Sequence, residues 1–166
     1  MAGTVERFGD WDRALRLLCE NTPGARLNMA LRQATVRAAI LLVREIQRGI
    51  RSQAPGGEAF TPLAEATIRK KKSSKALIDD AFLINSVTHR ILGDKAFVGV
   101  LRGTTHGDGE ELVNIGKVHE YGATVKLPSG KTIIIPARPF LHPVLKAFRK
   151  EVRKIYRDAI KSVYGV

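Results

Sequence analysis

The side chains best suited to chemistry in this sequence are its histidines, His89, His106, His119 and His142. No two of them have the HExxH spacing that places two imidazoles on one helix face to bind zinc. Only His119 has a carboxylate beside it, that of Glu120. Adjacent side chains of an extended segment point to opposite faces, so this pair is not expected to converge. We therefore predict no metal site and no acid–base pair.

Serine, glycine and cysteine patterns also lack a recognisable reactive site. No serine lies in a GxSxG elbow, and no glycines form a GxGxxG turn or a GxxxxGK loop. The glycine-rich residues 104–111 are typical of a flexible surface loop. The single cysteine, Cys19, lies in an apolar helical pattern, which favours a buried, unreactive thiol. The sequence predicts a protein that is not an enzyme and needs no cofactor.

Composition indicates one globular domain. The chain has 166 residues, a hydrophobic fraction of 44% and a mean hydropathy of -0.10, so a core can form without disulfides or metals. The N-terminus lacks the basic and apolar regions of a signal peptide. The longest apolar stretch, residues 38–43, is far too short to span a bilayer. We expect no contact with a membrane.

The net charge of +12 raises the question of nucleic acid. Such an excess indicates phosphate binding, an acidic partner surface, or only solubility. Because 6% of residues are aromatic and no RNP-like or helix-turn-helix signature occurs, specific base recognition is not expected. The last helix presents either a DNA-facing surface or a solvated basic face. The basic residues that form this surface are Arg149, Lys150, Arg153, Lys154 and Arg157.

Apolar residues spaced by three or four positions predict a long helix over residues 23–52. Thr22 is its expected cap, and Pro23 occupies the first helical position. The pattern is one apolar stripe beside an arginine-rich face, with Glu45 as the one polar residue in the stripe. A second long helix is predicted over about residues 139–162.

Flanking segments are less regular. Residues 1–22 form an N-terminal extension with a short helix at about residues 10–20. Residues 54–76, which are polar and contain a lysine run, are predicted to be an exposed arm. Asp79 or Asp80 is the expected cap of a short helical turn that follows.

Two hairpins are predicted between the long helices. Residues 86–91 and 95–100 are interrupted by Gly93, which marks a tight turn. Residues 124–127 and 131–135 flank a second turn. Strands grouped between helices indicate an α+β fold. We expect an antiparallel sheet of about four strands, packed against the long N-terminal helix and the C-terminal helix within one domain, residues 23–166.

Several short blocks occur in a specific order. Residues 60–72 read FTPLAEATIRKKK, residues 75–87 read KALIDDAFLINSV, residues 116–122 read GKVHEYG, and residues 135–141 read IPARPFL. In this order and spacing, across roughly residues 30–160, the chain resembles the virion-morphogenesis and tail-completion proteins of tailed bacteriophages. Residues 1–22 fall outside the resemblance.

The last two blocks also have a physical interpretation. Two prolines fix their own φ angles and should hold Arg138 in an extended frame. The guanidinium of Arg138 then either pairs with a carboxylate such as Glu120 or is a solvated charge. We interpret these blocks as a structural motif. Its residues are His119, Glu120, Tyr121, Gly122, Pro136, Arg138, Pro139 and Phe140.

The resemblance implies a structural virion component that forms a ring at the head-proximal end of the tail or in the neck. Hexameric symmetry is the first expectation, since phage tails have it. The implied partners are copies of the chain, tail-tube and head-connector proteins, and packaged DNA. The implied location is the virion, after synthesis in the host bacterial cytoplasm. The candidate interface residues are Arg69, Lys70, Lys71, Lys72, Lys75, His106, Asp108, Lys126 and Lys131.

Overall fold

The computed structural model of the chain describes Cys19 and residues 22–79, 81–107, 109–128, 130 and 132–165. Apart from Cys19, the short helix predicted at residues 10–20 lies outside the described residues, as do Asp80, Asp108 and Lys131. The elements, in chain order, are α1 (Pro23–Ser52), a 3-10 turn (Pro55–Gly57), α2 (Glu65–Lys71), α3 (Phe82–Ser86), β1 (Val87–Leu92), β2 (Lys95–Val100), α4 (Leu112–Tyr121), β3 (Ala123–Lys126), β4 (Thr132–Ile135), α5 (His142–Ala147) and α6 (Arg149–Tyr164). The predicted α+β class is confirmed.

Helix α1 begins and ends as its sequence predicts. The Thr22 hydroxyl accepts a hydrogen bond from the Ala25 N–H at 3.2 Å, and Pro23 occupies the first helical position. Gln53 ends the helix in the left-handed conformation, with φ 62°. Glu45 is buried on the apolar stripe, where it accepts from Arg44 at 3.0 Å and Arg48 at 3.4 Å. A carboxylate is tolerated there because both arginines neutralise it.

The expected four-stranded sheet is wrong, because the four strands form two separate ribbons. β1 pairs antiparallel with β2, and β3 pairs antiparallel with β4. Helix α4 lies between the two hairpins in the chain. It packs against β2 and α3, and the chain then turns at Gly122, where φ is 75°. The second ribbon is not hydrogen-bonded to the first.

The segment before Gly122 is helix α4, so the prediction that His119 and Glu120 lie on an extended segment is wrong. The last long helix is also not continuous: it divides at Phe148 into α5 and α6. Helix α6 packs along α1, and the Tyr156 hydroxyl donates to Thr35 Oγ1 at 2.9 Å.

Two smaller predictions are wrong. The N-terminal cap of α3 is Ala81, whose φ is 61° and which offers no side-chain hydrogen bond, so Asp79 does not cap this helix. Cys19, expected to be buried, is exposed.

The hydrophobic core lies between α1, the β1–β2 hairpin and the helices that follow it. Its largest fully buried side chains include Phe140, Ile50, Leu112 and Val144. Phe140 comes from the extended segment before α5 and is 0% exposed, so this irregular segment is fastened to the centre of the domain. None of the described helices has the length and apolar character needed to cross a membrane.

Gly49→Ala is expected to lower the free energy of unfolding by about 1–3 kcal/mol, as overpacking does. A Cβ at this position would lie 2.5 Å from Pro55 Cα, so the backbone must shift. That cost outweighs the roughly 1 kcal/mol of helix propensity gained by replacing glycine with alanine. Gly24→Ala, in the same helix with nothing within 4 Å of its Cβ, is the matched control and should not be destabilised. Urea unfolding measures both, and equal losses would contradict the close approach.

Candidate functional site

Glu120 organises the segment that leads into the last helices. It lies on α4 with 7% of its surface exposed. Its Oε2 accepts from the Phe140 N–H at 2.8 Å and the Leu141 N–H at 3.0 Å, and its Oε1 accepts from the His142 N–H at 2.9 Å. Helix α5 begins at His142 without a side-chain cap from its own N-cap residue. Glu120 supplies that cap from another helix, and so satisfies N–H groups that the helix itself leaves unpaired.

Arg138 is held by main-chain oxygens, so both alternatives drawn from the sequence are wrong. It is 4% exposed. Its Nε donates to the Thr61 carbonyl at 2.7 Å, and an Nη donates to the Pro62 carbonyl at 2.8 Å. It does not pair with Glu120, because the backbone N–H groups occupy that carboxylate. Burial lowers the pKa of Arg138 from its ordinary value, although a guanidinium stays charged at neutral pH.

These contacts join three distant parts of the chain. The backbone N–H of Arg138 also donates to the His119 carbonyl at 2.7 Å. At Gly122 a Cβ would lie 3.0 Å from the Ile135 carbonyl oxygen, so glycine lets the base of the second ribbon close. Tyr121, in the same block, is 77% exposed. The structure thus brings the two motif blocks together as a structural junction and leaves Tyr121 on its surface.

The predicted arm is attached at both ends. The Phe60 N–H donates to the Gln53 carbonyl, and Gln53 exchanges hydrogen bonds with the main chain of Ala76. Between these points, α2 contributes no buried residue. The side chains of Arg69, Lys70, Lys72 and Lys75 are exposed, whereas Lys71 is half-buried and its Nζ donates to the Lys75 carbonyl at 2.9 Å.

His106 and His119 line one cavity of about 240 Å³ beneath α2, together with Leu63, Lys71 and Phe82. The rings of His106 and Phe82 meet edge to face at 5.2 Å. Nδ1 of His119 is buried without a hydrogen-bond partner. Burial lowers the pKa of His119 below its ordinary 6.5, and the charges of Arg138 and Lys71 lower it further. In the described parts of the chain, no group of three or more metal-ligating side chains forms.

The β3–β4 ribbon, residues 123–135, exposes large apolar side chains. Val125 faces Ile133 across the ribbon and Ala123 faces Ile135. Val125 is 42% exposed, Ile133 41% and Ile134 74%. Lys126 is also exposed. The hairpin that the sequence predicts here, residues 127–133, is also a candidate to extend a neighbour's sheet. Its three consecutive isoleucines indicate an uncovered apolar strand.

A second apolar surface, the β2 groove, runs along β2. It consists of two cavities of about 250 and 240 Å³ that share Val98, Glu120, Tyr121 and Leu141. Phe97 lines only the first cavity, and as consecutive strand residues Phe97 and Val98 point to opposite faces of β2. The further apolar linings of the two cavities include Phe97 and Val113 in the first and Leu42, Ile46 and Leu145 in the second.

The basic residues of α6 lie on the molecular surface. Arg149, Lys150, Arg153, Lys154 and Arg157 are all exposed.

The model of the phage virion morphogenesis family matches residues 12–162. No curated protein and no solved structure matches the chain.

Glu120→Ala is expected to reduce the free energy of unfolding by about 3 kcal/mol, because buried N–H donors lose a charged acceptor. Glu58→Ala removes an exposed carboxylate 3.5 Å from Lys146 Nζ and should cost less than about 1 kcal/mol. Chemical denaturation of the two variants checks this. Similar small losses would mean that Glu120 does not hold the junction.

Stability should fall on acidification through His119. Its pKa is lowered in the folded chain, so the unfolded chain takes up the proton first as pH falls below about 6.5. His119→Gln should therefore flatten the dependence of unfolding free energy on pH between about 7.5 and 5.5. Urea unfolding at several pH values measures the slope, and a wild-type slope in the variant would contradict this assignment.

Proposed function

Because the chain belongs to the phage virion morphogenesis family, we propose that it is a non-enzymatic structural protein that assembles as a ring at the head–tail junction and joins tail to head. The family makes it a virion assembly protein. The tail-completion, tail-terminator or neck position and the ring are the parts that we propose. Six copies is the number that we expect from the symmetry of phage tails.

The observation that carries the proposal is the exposed apolar surface of the β3–β4 ribbon. Ile134, Ile133 and Val125 lie on a ribbon whose strands pack mainly on each other. Two-stranded ribbons are marginally stable alone, and exposed apolar patches of this kind mark interaction sites. An assembly role gives this surface a partner.

A non-enzymatic role fits the use made of the buried polar groups. Glu120 caps backbone N–H groups, and Arg138 binds two carbonyl oxygens. The hydrogen-bonding groups of both side chains are occupied by the main chain, so neither side chain is available to a substrate. The proposed partners are copies of the chain and the adjoining tail-tube and head-connector proteins, which the exposed lysines and arginines of the arm would meet.

A nonspecific nucleic-acid-binding protein is the second candidate. The exposed basic residues of α6 favour it, because cations along one helix are the surface that phosphates bind. Within the assembly, the same helix would face packaged DNA. If nucleic-acid binding is the sole function, the protein is expected to be a monomer whose affinity for DNA falls steeply with salt concentration.

Deletion of the gene is expected to yield separate heads and tails instead of joined particles, and the purified chain is expected to form circular oligomers of uniform diameter. Electron microscopy of lysates and negative-stain imaging of the protein measure these outcomes. Joined, infectious particles made without the gene would refute the structural role. Persistent monomers that bind DNA tightly at low salt would favour the second candidate.

A further inference from the structure

The outer edge of β2 is an open hydrogen-bonding surface. Leu92 pairs with Lys95 across a two-residue turn. In such hairpins the pair beside the turn exchanges both hydrogen bonds, and hydrogen-bonded pairs then alternate. Ala96 and Val98 therefore direct their N–H and C=O groups outward. Among the described residues, neither makes a backbone hydrogen bond outside the β1–β2 ladder.

The opposite edge of this hairpin is partly closed. The Gln47 side chain donates to the carbonyls of Ile84 and Val87, each at 3.3 Å. Val87 is the first residue of β1 and, by the same alternation, its carbonyl points to the outer side of that strand. Within the ranges that the structure describes, no such side-chain contact occupies the β2 edge, so we assign the added strand to β2.

The β2 groove provides two pockets along this strand, one lined by Phe97 and Val113 and the other by Leu42 and Leu145. Because Phe97 and Val98 point to opposite faces of β2, we assign the two pockets to the two faces. A strand that adds to an edge alternates its side chains between the two faces, so main-chain bonds hold it and paired pockets select its residues. The groove fits a strand with apolar residues at successive positions.

β4 has that composition. Its residues, Thr132, Ile133, Ile134 and Ile135, are all β-branched and include neither a charge nor a proline. Natural edge strands are usually protected by charges, prolines or bulges. β3 has such a charge in Lys126, whereas β4 has none. An uncovered strand of this kind is expected to pair with another edge.

Resting on the function proposed above, we propose that β4 of one copy adds as a strand to the β2 edge of a second copy. Ile134 enters the pocket on one face of the groove, while Ile133 and Ile135 enter the pocket on the other. At about 3.3 Å per residue, β4 spans about 13 Å and fits within the roughly 20 Å length of β2.

A second copy is the occupant that accounts for both surfaces at once. The groove and the strand each leave apolar groups and main-chain edges open, and one contact repeated between copies covers both. Because different patches of the subunit meet, the contact is heterologous and generates rings when the rotation closes. Four residues bury less than the roughly 800 Å² per partner of a stable interface, so the contact is weak singly and accumulates as the ring closes.

Ile134→Lys tests the strand, because a lysine in an apolar pocket must lose its hydration. Ile134 is 74% exposed in the monomer, so the variant should fold as the wild type does. Ile40→Lys, at a 51% exposed position on α1, is the matched control. Sedimentation velocity over a concentration series should show association weakened about tenfold or more by Ile134→Lys, a change equivalent to about 1.4 kcal/mol. Ile40→Lys should associate as the wild type does.

Disulfide trapping tests the acceptor edge. In a Cys19→Ser background, one preparation carries Ile134→Cys and another carries Ala96→Cys or Phe97→Cys. Paired strands bring Cα atoms to about 4.5–5.5 Å, which allows a disulfide. We expect a covalent dimer in the mixture under mild oxidation. Met29→Cys, at an exposed position on α1, should trap none with Ile134→Cys.

The failures can be told apart. If Ile134→Lys forms the same rings as the wild type and the cysteine variants yield no trapped dimer, the strand addition is overturned. The proposed function is then unaffected. Normal association with failed head–tail joining in Ile134→Lys would overturn the second copy as occupant in favour of another virion protein. A monomeric wild type, with joined particles formed in its absence, would reject both proposals.

Discussion

The carboxylate of Glu120 is the contact on which the rest of the domain depends. It gathers the N–H groups of Phe140, Leu141 and His142 and thereby fixes where α5 begins. Phe140 is then held in the core, next to the residues that α1 and α4 supply. Arg138, two residues earlier, ties the same segment to the base of the arm through the carbonyls of Thr61 and Pro62. In this segment, hydrogen bonds between the main chain and the side chains of Glu120 and Arg138 take the place of the hydrogen bonds of a helix or strand.

This junction determines what the molecule can present to a partner. The chain on either side of the β3–β4 ribbon is fastened, at Glu120 before it and at Arg138 after it. The ribbon itself packs mainly on its own strands and keeps Ile134 at the surface. A ribbon that is fastened at its base and exposes apolar side chains suits a virion assembly protein. Assembly requires that subunits meet in a fixed orientation and that an exposed surface becomes buried when the partner binds.

Several elements were predictable because their signals are local. Pro23 and Thr22 mark the start of α1, and the spacing of apolar residues specifies its length. The turn at Gly93 specifies the first hairpin. The β-branched run at Ile133 specifies a strand, but not its surroundings. Residues 112–121 carry no clear strand period, and their helix forms around a core that the sequence pattern does not reveal. Cys19 lies on an apolar pattern yet is exposed, because a helical periodicity does not say which partner covers it.

By itself, the sequence determined the α+β class, the bounds of α1, both hairpins and, through ordered motifs, the phage virion morphogenesis family. The tertiary structure alone decided that the strands form two ribbons, that the last helix divides at Phe148, and which groups Glu120 and Arg138 bind. Local propensity depends on neighbours within a few residues. The partners of Glu120 lie about twenty residues away along the chain and those of Arg138 about seventy-seven. Which N–H donor pairs with which carbonyl or carboxylate oxygen is resolved only when the chain is folded.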